Sequence, residues 1–373
     1  MRYYIIAGEA SGDLHGSNLM KGLHAEDPEA DIRFWGGELM LASGGTMVRS
    51  YKEGAVMGFT EVIAKGFKLL ENIRFCKKDI VSWSPDVVIL IDYPSVNMKI
   101  AKFCHRRGMR VFYYIAPRTW ASRAGRNRKL RAWVDRLFIV FPFEIQYFSQ
   151  RGIPFIYEGN PLIDAIDGHE YIRPADGRYI AILAGSRKAE ISRMMPVCMK
   201  VAEEISEMEQ FSGCKFIVAG APARTAGDYD KYLAGHDNVQ LMFDRTYDIL
   251  KYADAAIVNS GTASLEAALI GTPQVVCWST SRLTYLVAKY ILRVGSHIRY
   301  SSLGNLCLDK PVFRELIQDD FNVTEVTREI CRLVNDSSCR ENMIADYGRI
   351  RESLGGSGAS RKVARAMIEE LKK

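Results

Sequence analysis

At 373 residues, 48% hydrophobic and 25% charged, the chain is long enough for two domains with full cores and has the composition of an ordinary globular protein. The net charge of +6 is a mild excess. Eight cysteines without a CxxC pair read as reduced core residues of a cytoplasmic protein, and six histidines without ligand spacing argue against a structural zinc. No apolar run reaches the roughly 18 residues of a spanning helix and no leader precedes the first strand, so a secreted or transmembrane chain is not expected.

In chain order, residues 3–7 read as a short buried strand, and Leu14, Leu19 and Leu23 recur at helical spacing after it. Between them, "GEASGD" (8–13) is expected to form a strand-to-helix turn, the place where doubly wound proteins hold ligands. It is not GxGxxG, so it is not the dinucleotide fingerprint. Glu9, Ser11 and Asp13 line its rim, with capping of the first helix as the other role for Asp13. A strand at 32–35 follows, then a helical stretch over 60–78. There Val62, Ile63, Phe67, Leu69, Leu70 and Ile73 form one stripe flanked by lysines and arginines. That pattern fits a core-facing helix or an interfacial one lying on anionic lipid.

The strand at 87–91 ends at Asp92, a candidate general base, although spacing alone favours a helix cap or Asx turn beside Pro94 and Ser95. From Lys99 to Arg136 there are twelve Lys or Arg and one acid, Asp135: a solvated face or the footprint of an anionic partner. Within that run, after the strand at 111–115, Arg118, Trp120 and Arg123 suit an anionic substrate with a ring or chain to stack. Strands at 137–140 and 155–157 complete the first series, and "DGHEYIRPADG" (167–177) reads as a linker.

A second series follows: strands at 179–183, 216–218, 239–243, 255–258 and 275–278. Gly185-Ser186-Arg187 lies between a strand and a helix, where backbone N–H groups and a guanidinium can hold phosphate. Asn259-Ser260-Gly261-Thr262 repeats that placement, and Glu266 follows on the helix. Together they read as a nucleoside-diphosphate site, with phosphates on Ser186, Arg187, Gly261 and Thr262 and ribose hydroxyls on Glu266; alternatively Glu266 only meets its own helix dipole. Helices at 325–334, 340–354 and 360–371 end the chain. Apolar strands spaced by amphipathic helices predict an α/β protein of two doubly wound Rossmann-like domains facing across a cleft. GT-B glycosyltransferases and nucleotide-sugar 2-epimerases share that architecture.

The ordered set AGEASGD (7–13), AVMGFTEV (55–62), IDYPSVN (91–97), AGSRKAEI (184–191), NSGTASLE (259–266) and SLGNLCLDKPVFRELIQDD (302–320) resembles the lipid-A-disaccharide synthase family of inverting GT-B glycosyltransferases. The resemblance spans nearly the whole chain. It implies transfer from UDP-2,3-diacylglucosamine to the 6-hydroxyl of 2,3-diacylglucosamine 1-phosphate, giving a β-1,6 disaccharide and UDP. By the same resemblance Asp92 and Glu9 are catalytic and Arg187, Glu266 and Asn305 lie at the donor site. Val62, Ile63, Phe67, Leu69 and Leu70 match the membrane- or acyl-contacting helix. It further implies a homodimer, peripheral on the cytoplasmic face of the inner membrane. An acceptor domain of 1–170, rejoined by 345–373, then faces a UDP-sugar domain of 171–344. Ala184 and Gly304 stand where the family has prolines, and Ser95 where a second acid is common.

No DxD-like loop is present, so neither metal nor cofactor is expected. The rival reading, a 2-epimerase, would draw on His15 with Glu9 and Asp13. Nucleic-acid binding is not expected, because Tyr113, Tyr114 and Trp120 are the only aromatics interleaved with the basic run's strand-end loop.

Overall fold

The computed structural model describes residues 1–51, 61–117, 119, 125–222, 224–281 and 299–373, with side chains from 69 onward in the helix that starts at Glu61. The chain divides into two compact units: Met1–Ala165 with Leu354–Lys373, and Ile166–Ser353.

In the first unit, β1 (Arg2–Ala7), β2 (Asp31–Gly36), β3 (Thr46–Ser50), β4 (Val87–Ile91), β5 (Val111–Tyr114), β6 (Arg136–Ile139) and β7 (Phe155–Tyr157) form one parallel sheet in the order β3-β2-β1-β4-β5-β6-β7. Every residue of β4 is buried, as expected of an uncharged run covered on both faces. The tyrosines of β1 are buried yet satisfied at the tips. Tyr3 donates to Asp27 (2.9 Å) and Tyr4 to Asp79 (2.7 Å), where Arg33 also pairs (2.6 Å).

In the second unit, β8 (Tyr179–Leu183), β9 (Lys215–Gly220), β10 (Val239–Phe243), β11 (Ala255–Asn259), β12 (Gln274–Trp278) and β13 (Glu315–Ile317) form a parallel sheet in the order β10-β9-β8-β11-β12-β13. Both units are thus doubly wound, with the strand order reversing between β1 and β4 and between β8 and β11. The short edge strands β3 and β13 carry no strong alternation and were not expected from the sequence.

Only part of the C-terminal run rejoins the first unit. The helix Ser337–Ser353 stays with the second, because Met343, Tyr347 and Ile350 are buried there and the Tyr347 hydroxyl donates to Thr272 O (3.1 Å). The helix Ala359–Lys372 instead lies along Ala10–Glu26. Gly22 permits the approach: a Cβ there would stand 2.9 Å from Ser360 O. Asp164 accepts the N–H groups of Gly358 (2.6 Å) and Ser360 (2.8 Å), while Arg365 and Arg361 hold the half-buried Glu26 carboxyl down at about 2.

Candidate active site

At the β1/β4 reversal, the helix Ala10–Glu26 begins earlier than expected. Asp13 N already donates to Glu9 O (3.0 Å), so Ser11 and Asp13 sit on the first turn and only Gly8 and Glu9 remain as loop. Asp13 does not cap its own helix. Its buried carboxylate accepts from Gly37 N (2.7 Å), Leu39 N (3.2 Å) and Met40 N (3.1 Å), capping the neighbouring helix Glu38–Ala42. Glu9 is exposed at the N-cap position and makes no side-chain cap.

Across the reversal, Asp92 and Tyr93 both hold left-handed backbone, at φ 41° and 45°. Left-handed backbone costs a non-glycine residue about 1–3 kcal/mol, less for Asp than for the bulkier Tyr, and gathers at functional sites. It is held by Asn97 Nδ2, which donates to Ile91 O (3.1 Å) and Asp92 O (2.9 Å), and by the Tyr113 hydroxyl on Asp92 O (2.5 Å). The N-cap of the helix Pro94–His105 is Tyr93, so Asp92 is not its cap. The Tyr93 ring fills the space beside Gly8, where a Cβ would lie 2.2 Å from it. Burial and then the Glu9 charge raise the Tyr93 hydroxyl, a sign that Glu9 lies close to this turn. The first unit thus gathers Gly8, Glu9, Asp92 and Tyr93 at one strand-end crevice.

Arg118, Trp120 and Arg123 lie outside the described residues, as do the side chains of Val62, Ile63 and Phe67. In the rest of that stripe, Ile73 is buried and Leu69 packs partly on the core, whereas Leu70 and Phe75 are 46% and 45% exposed. The helix therefore serves the core along one edge and shows apolar surface along another.

His15, which the epimerase reading needs, is drawn down to about 4 by burial, and its Nδ1 is enclosed without a partner among the described residues.

At the β8/β11 reversal, Gly185 adopts φ 98°, and a Cβ there would meet Glu190 Oε2 at 2.6 Å and Asn259 Nδ2 at 2.8 Å. The next N–H groups, of Ser186 and Arg187, donate to Glu190 Oε2 (2.9 and 3.1 Å), and Arg187 Nη1 donates to Glu190 Oε1 (2.9 Å). The anion-binding loop read from the sequence is therefore occupied by the chain's own carboxylate. Glu190 escaped the sequence reading, although the N-cap-to-N3 spacing from Arg187 is the capping-box signal that could have found it. Arg187 itself is 81% exposed.

Gly261 precedes the helix Thr262–Ile270 in extended backbone; Thr262 is exposed and Ser264 Oγ donates to Gly261 O (2.8 Å). Glu266, one turn on, is half-buried. Burial raises its carboxyl to about 7, with the neighbouring Tyr247 hydroxyl pulling the other way.

Asn305 differs from expectation. It is buried, and its amide is spent inside the fold: Nδ2 donates to Phe313 O (3.0 Å) and Glu315 Oε1 (2.9 Å), and Oδ1 accepts from Val312 N (2.9 Å) and Phe313 N (3.2 Å). No donor is left over for a substrate. Its partner Glu315 also accepts N–H and Oγ from Ser301 (2.8 Å each) and from Ser302 (3.0 and 2.5 Å). Ser301 O in turn accepts from Ser260 Oγ (3.4 Å). Asn305 and Glu315 thus brace the strand-end loop rather than line it.

Among the described residues, no cluster of three or more His, Cys, Asp or Glu is placed to hold a metal, and no helix is long and apolar enough to cross a membrane.

Comparison with known proteins agrees with these motifs. A family model described as Lipid-A-disaccharide synthetase matches residues 3–368. A lipid-A-disaccharide synthase of Geobacter metallireducens is 38% identical over 381 residues, covering 100% of this chain and 98% of its own. That of Geobacter sulfurreducens is 36% identical with the same coverage. Among solved structures, the S. aureus MnaA-UDP co-structure aligns with TM-score 0.71 at 13% identity, covering 100% of this chain and 97% of that one. A putative UDP-N-acetylglucosamine 2-epimerase from Listeria monocytogenes aligns with TM-score 0.70 at 14% identity, over 100% and 96%. At such identities the structures speak for the fold alone, which the calicheamicin glycosyltransferase CalG4 shares at TM-score 0.56. The sequence relatives speak for more: the chain belongs to the lipid-A-disaccharide synthase family, glycosyltransferases of lipid A biosynthesis on a GT-B-type pair of parallel α/β domains.

Proposed function

We propose that the chain transfers the acylated sugar of UDP-2,3-diacylglucosamine to the 6-hydroxyl of 2,3-diacylglucosamine 1-phosphate. The bond from the anomeric carbon to the β-phosphate oxygen breaks, the bond to the acceptor oxygen forms, and the hydroxyl proton passes to a carboxylate. Asp92 takes that proton and Glu9 supports the same crevice. The observation that carries this reading is the strained Asp92–Tyr93 backbone at a strand-order reversal, packed against Gly8 and Glu9. A general base contributes about 10²–10⁴-fold.

The second unit holds UDP. Arg187, Ser186, Gly261 and Thr262 meet the diphosphate, and Glu266 accepts from the ribose hydroxyls. The leaving diphosphate gains charge as the bond breaks, and fixed dipoles with a guanidinium stabilise it without reorganising. Fixed charge then does the work for which other transferases use a metal.

The first unit meets an anionic membrane surface. Support comes from the exposed Leu70 and Phe75, and from cations of the same unit seated on aromatic rings: Lys77 and Arg107 over Phe103, Lys102 and Lys129 over Trp133. A peripheral location on the cytoplasmic face of the inner membrane and a homodimer complete the reading.

The test is direct: purified protein with both acylated glucosamine substrates, analysed by mass spectrometry, yields the disaccharide 1-phosphate and UDP. Absence of that product, with deuterium entering C2 of UDP-N-acetylglucosamine in heavy water, would identify an epimerase instead.

A further inference from the structure

We propose that Glu190 is a resident anion of the diphosphate loop, displaced when UDP binds and returning when it leaves. The inference rests on the donor-site reading above and adds a positioning residue to it. Three donors converge on this one carboxylate: Ser186 N (2.9 Å), Arg187 N (3.1 Å) and Arg187 Nη1 (2.9 Å). Gly185 is held at φ 98° with no room for a Cβ, so the backbone wraps the carboxylate closely. These are the two backbone donors and the guanidinium that a phosphate would use at this helix start.

The same donors cannot serve both anions. A diphosphate seated on the loop with Glu190 still in place would put like charges within a few ångströms of each other, which is strongly repulsive in a partly desolvated site. The Glu190 side chain, itself 17% exposed, leaves by rotamer changes toward the solvent beside Arg187, which is 81% exposed. When the diphosphate departs, the carboxylate refills the nest, so no donor is stranded. The exchange keeps the loop in its binding shape and caps how tightly the product UDP is held. It also explains why an acid stands in a site for an acidic ligand.

The experiment measures binding of UDP, inorganic pyrophosphate and uridine by calorimetry to the full chain and to Glu190→Gln and Arg187→Ala. The amide introduced by Glu190→Gln can still accept from the loop but carries no charge. That variant is expected to tighten UDP and pyrophosphate about tenfold and leave uridine unchanged, since one competing charge is removed. Arg187→Ala is expected to weaken both phosphates. If Glu190→Gln binds UDP as the unaltered chain does, or more weakly, with the same melting temperature, while Arg187→Ala still weakens it, the exchange is wrong and the donor site stands. If Arg187→Ala changes nothing, the donor site itself is wrong and the exchange falls with it. A wild-type readout guards against a variant that folds poorly: the amide resonances of Ser186 and Arg187 must shift on adding UDP. Resonances that stay fixed at saturation mean that Glu190 keeps its donors, and overturn the proposal.

Discussion

The two strand-order reversals are built in opposite ways. At β1/β4 the backbone itself is strained, with two consecutive left-handed residues held by Asn97 and the Tyr113 hydroxyl. At β8/β11 Glu190 gathers the donors of one loop, and beside the other Glu315 gathers five donors from residues 301–305, a segment that meets the loop where Ser260 Oγ donates to Ser301 O. Strain fixes one acidic residue at one point, which suits a proton transfer. Internal carboxylates keep donors pointed inward, which suits a site that must wait for an anion without collapsing. In the proposed reading the same topology serves chemistry in one unit and recognition in the other.

The largest effect that tests this division is on turnover. Asp92→Ala is expected to lower kcat by about 10²–10⁴-fold while UDP binding stays within a factor of two or so, because the residue lies outside the unit proposed to hold UDP. Turnover near the unaltered level would return Asp92 to a purely conformational role. Next comes the brace. Glu315→Ala leaves Ser301, Ser302 and Asn305 without their acceptor, at a cost of about 2–4 kcal/mol read by chemical denaturation. UDP affinity falls with it, since Ser301 O no longer meets Ser260 in a fixed place. If UDP affinity survives this loss of stability, the 301–302 segment is remote from the ligand and the brace serves the fold alone.

How far these features were legible differs by scale. Two parallel sheets could be read because β4, β8, β11 and residues 3–7 of β1 are uncharged, largely apolar runs, and such runs are buried wherever they lie. Glu9, Asp92, Arg187 and Glu266 could be singled out as candidates because strand ends are easy to locate. The partners of side chains were not legible. Asp13 turned out to cap a helix that starts 25 residues later at Glu38, and Asn305 to satisfy its own loop, since both outcomes depend on tertiary approach that spacing does not encode. Glu190 was legible in principle, by capping-box spacing, but the nearer glycine and arginine drew the phosphate reading first.

The smallest expected effect is also the one whose sign is most exposed. Glu266 has its carboxyl raised to about 7 in the folded chain against an ordinary value of 4.5. Between those two values the folded chain holds a proton that the unfolded chain has lost, so the residue's contribution to stability is full below about pH 4.5 and is lost as pH rises through 7. Glu266→Gln removes the titration. Matched near pH 5, the variant should exceed the unaltered chain at pH 8 by about 1–2 kcal/mol, less than the full shift because the side chain is only half-buried. Ribose hydroxyls donate to the carboxylate, not to the acid, so UDP binding should release a proton near neutrality. UDP affinity then rises from pH 6 to pH 8 more steeply in the unaltered chain than in Glu266→Gln, where only the terminal phosphate of UDP titrates, and 2′-deoxy-UDP responds less than UDP in the former only. A pH profile that the substitution does not flatten would separate Glu266 from the ribose, and with it detach the recognition role of the second reversal from this helix.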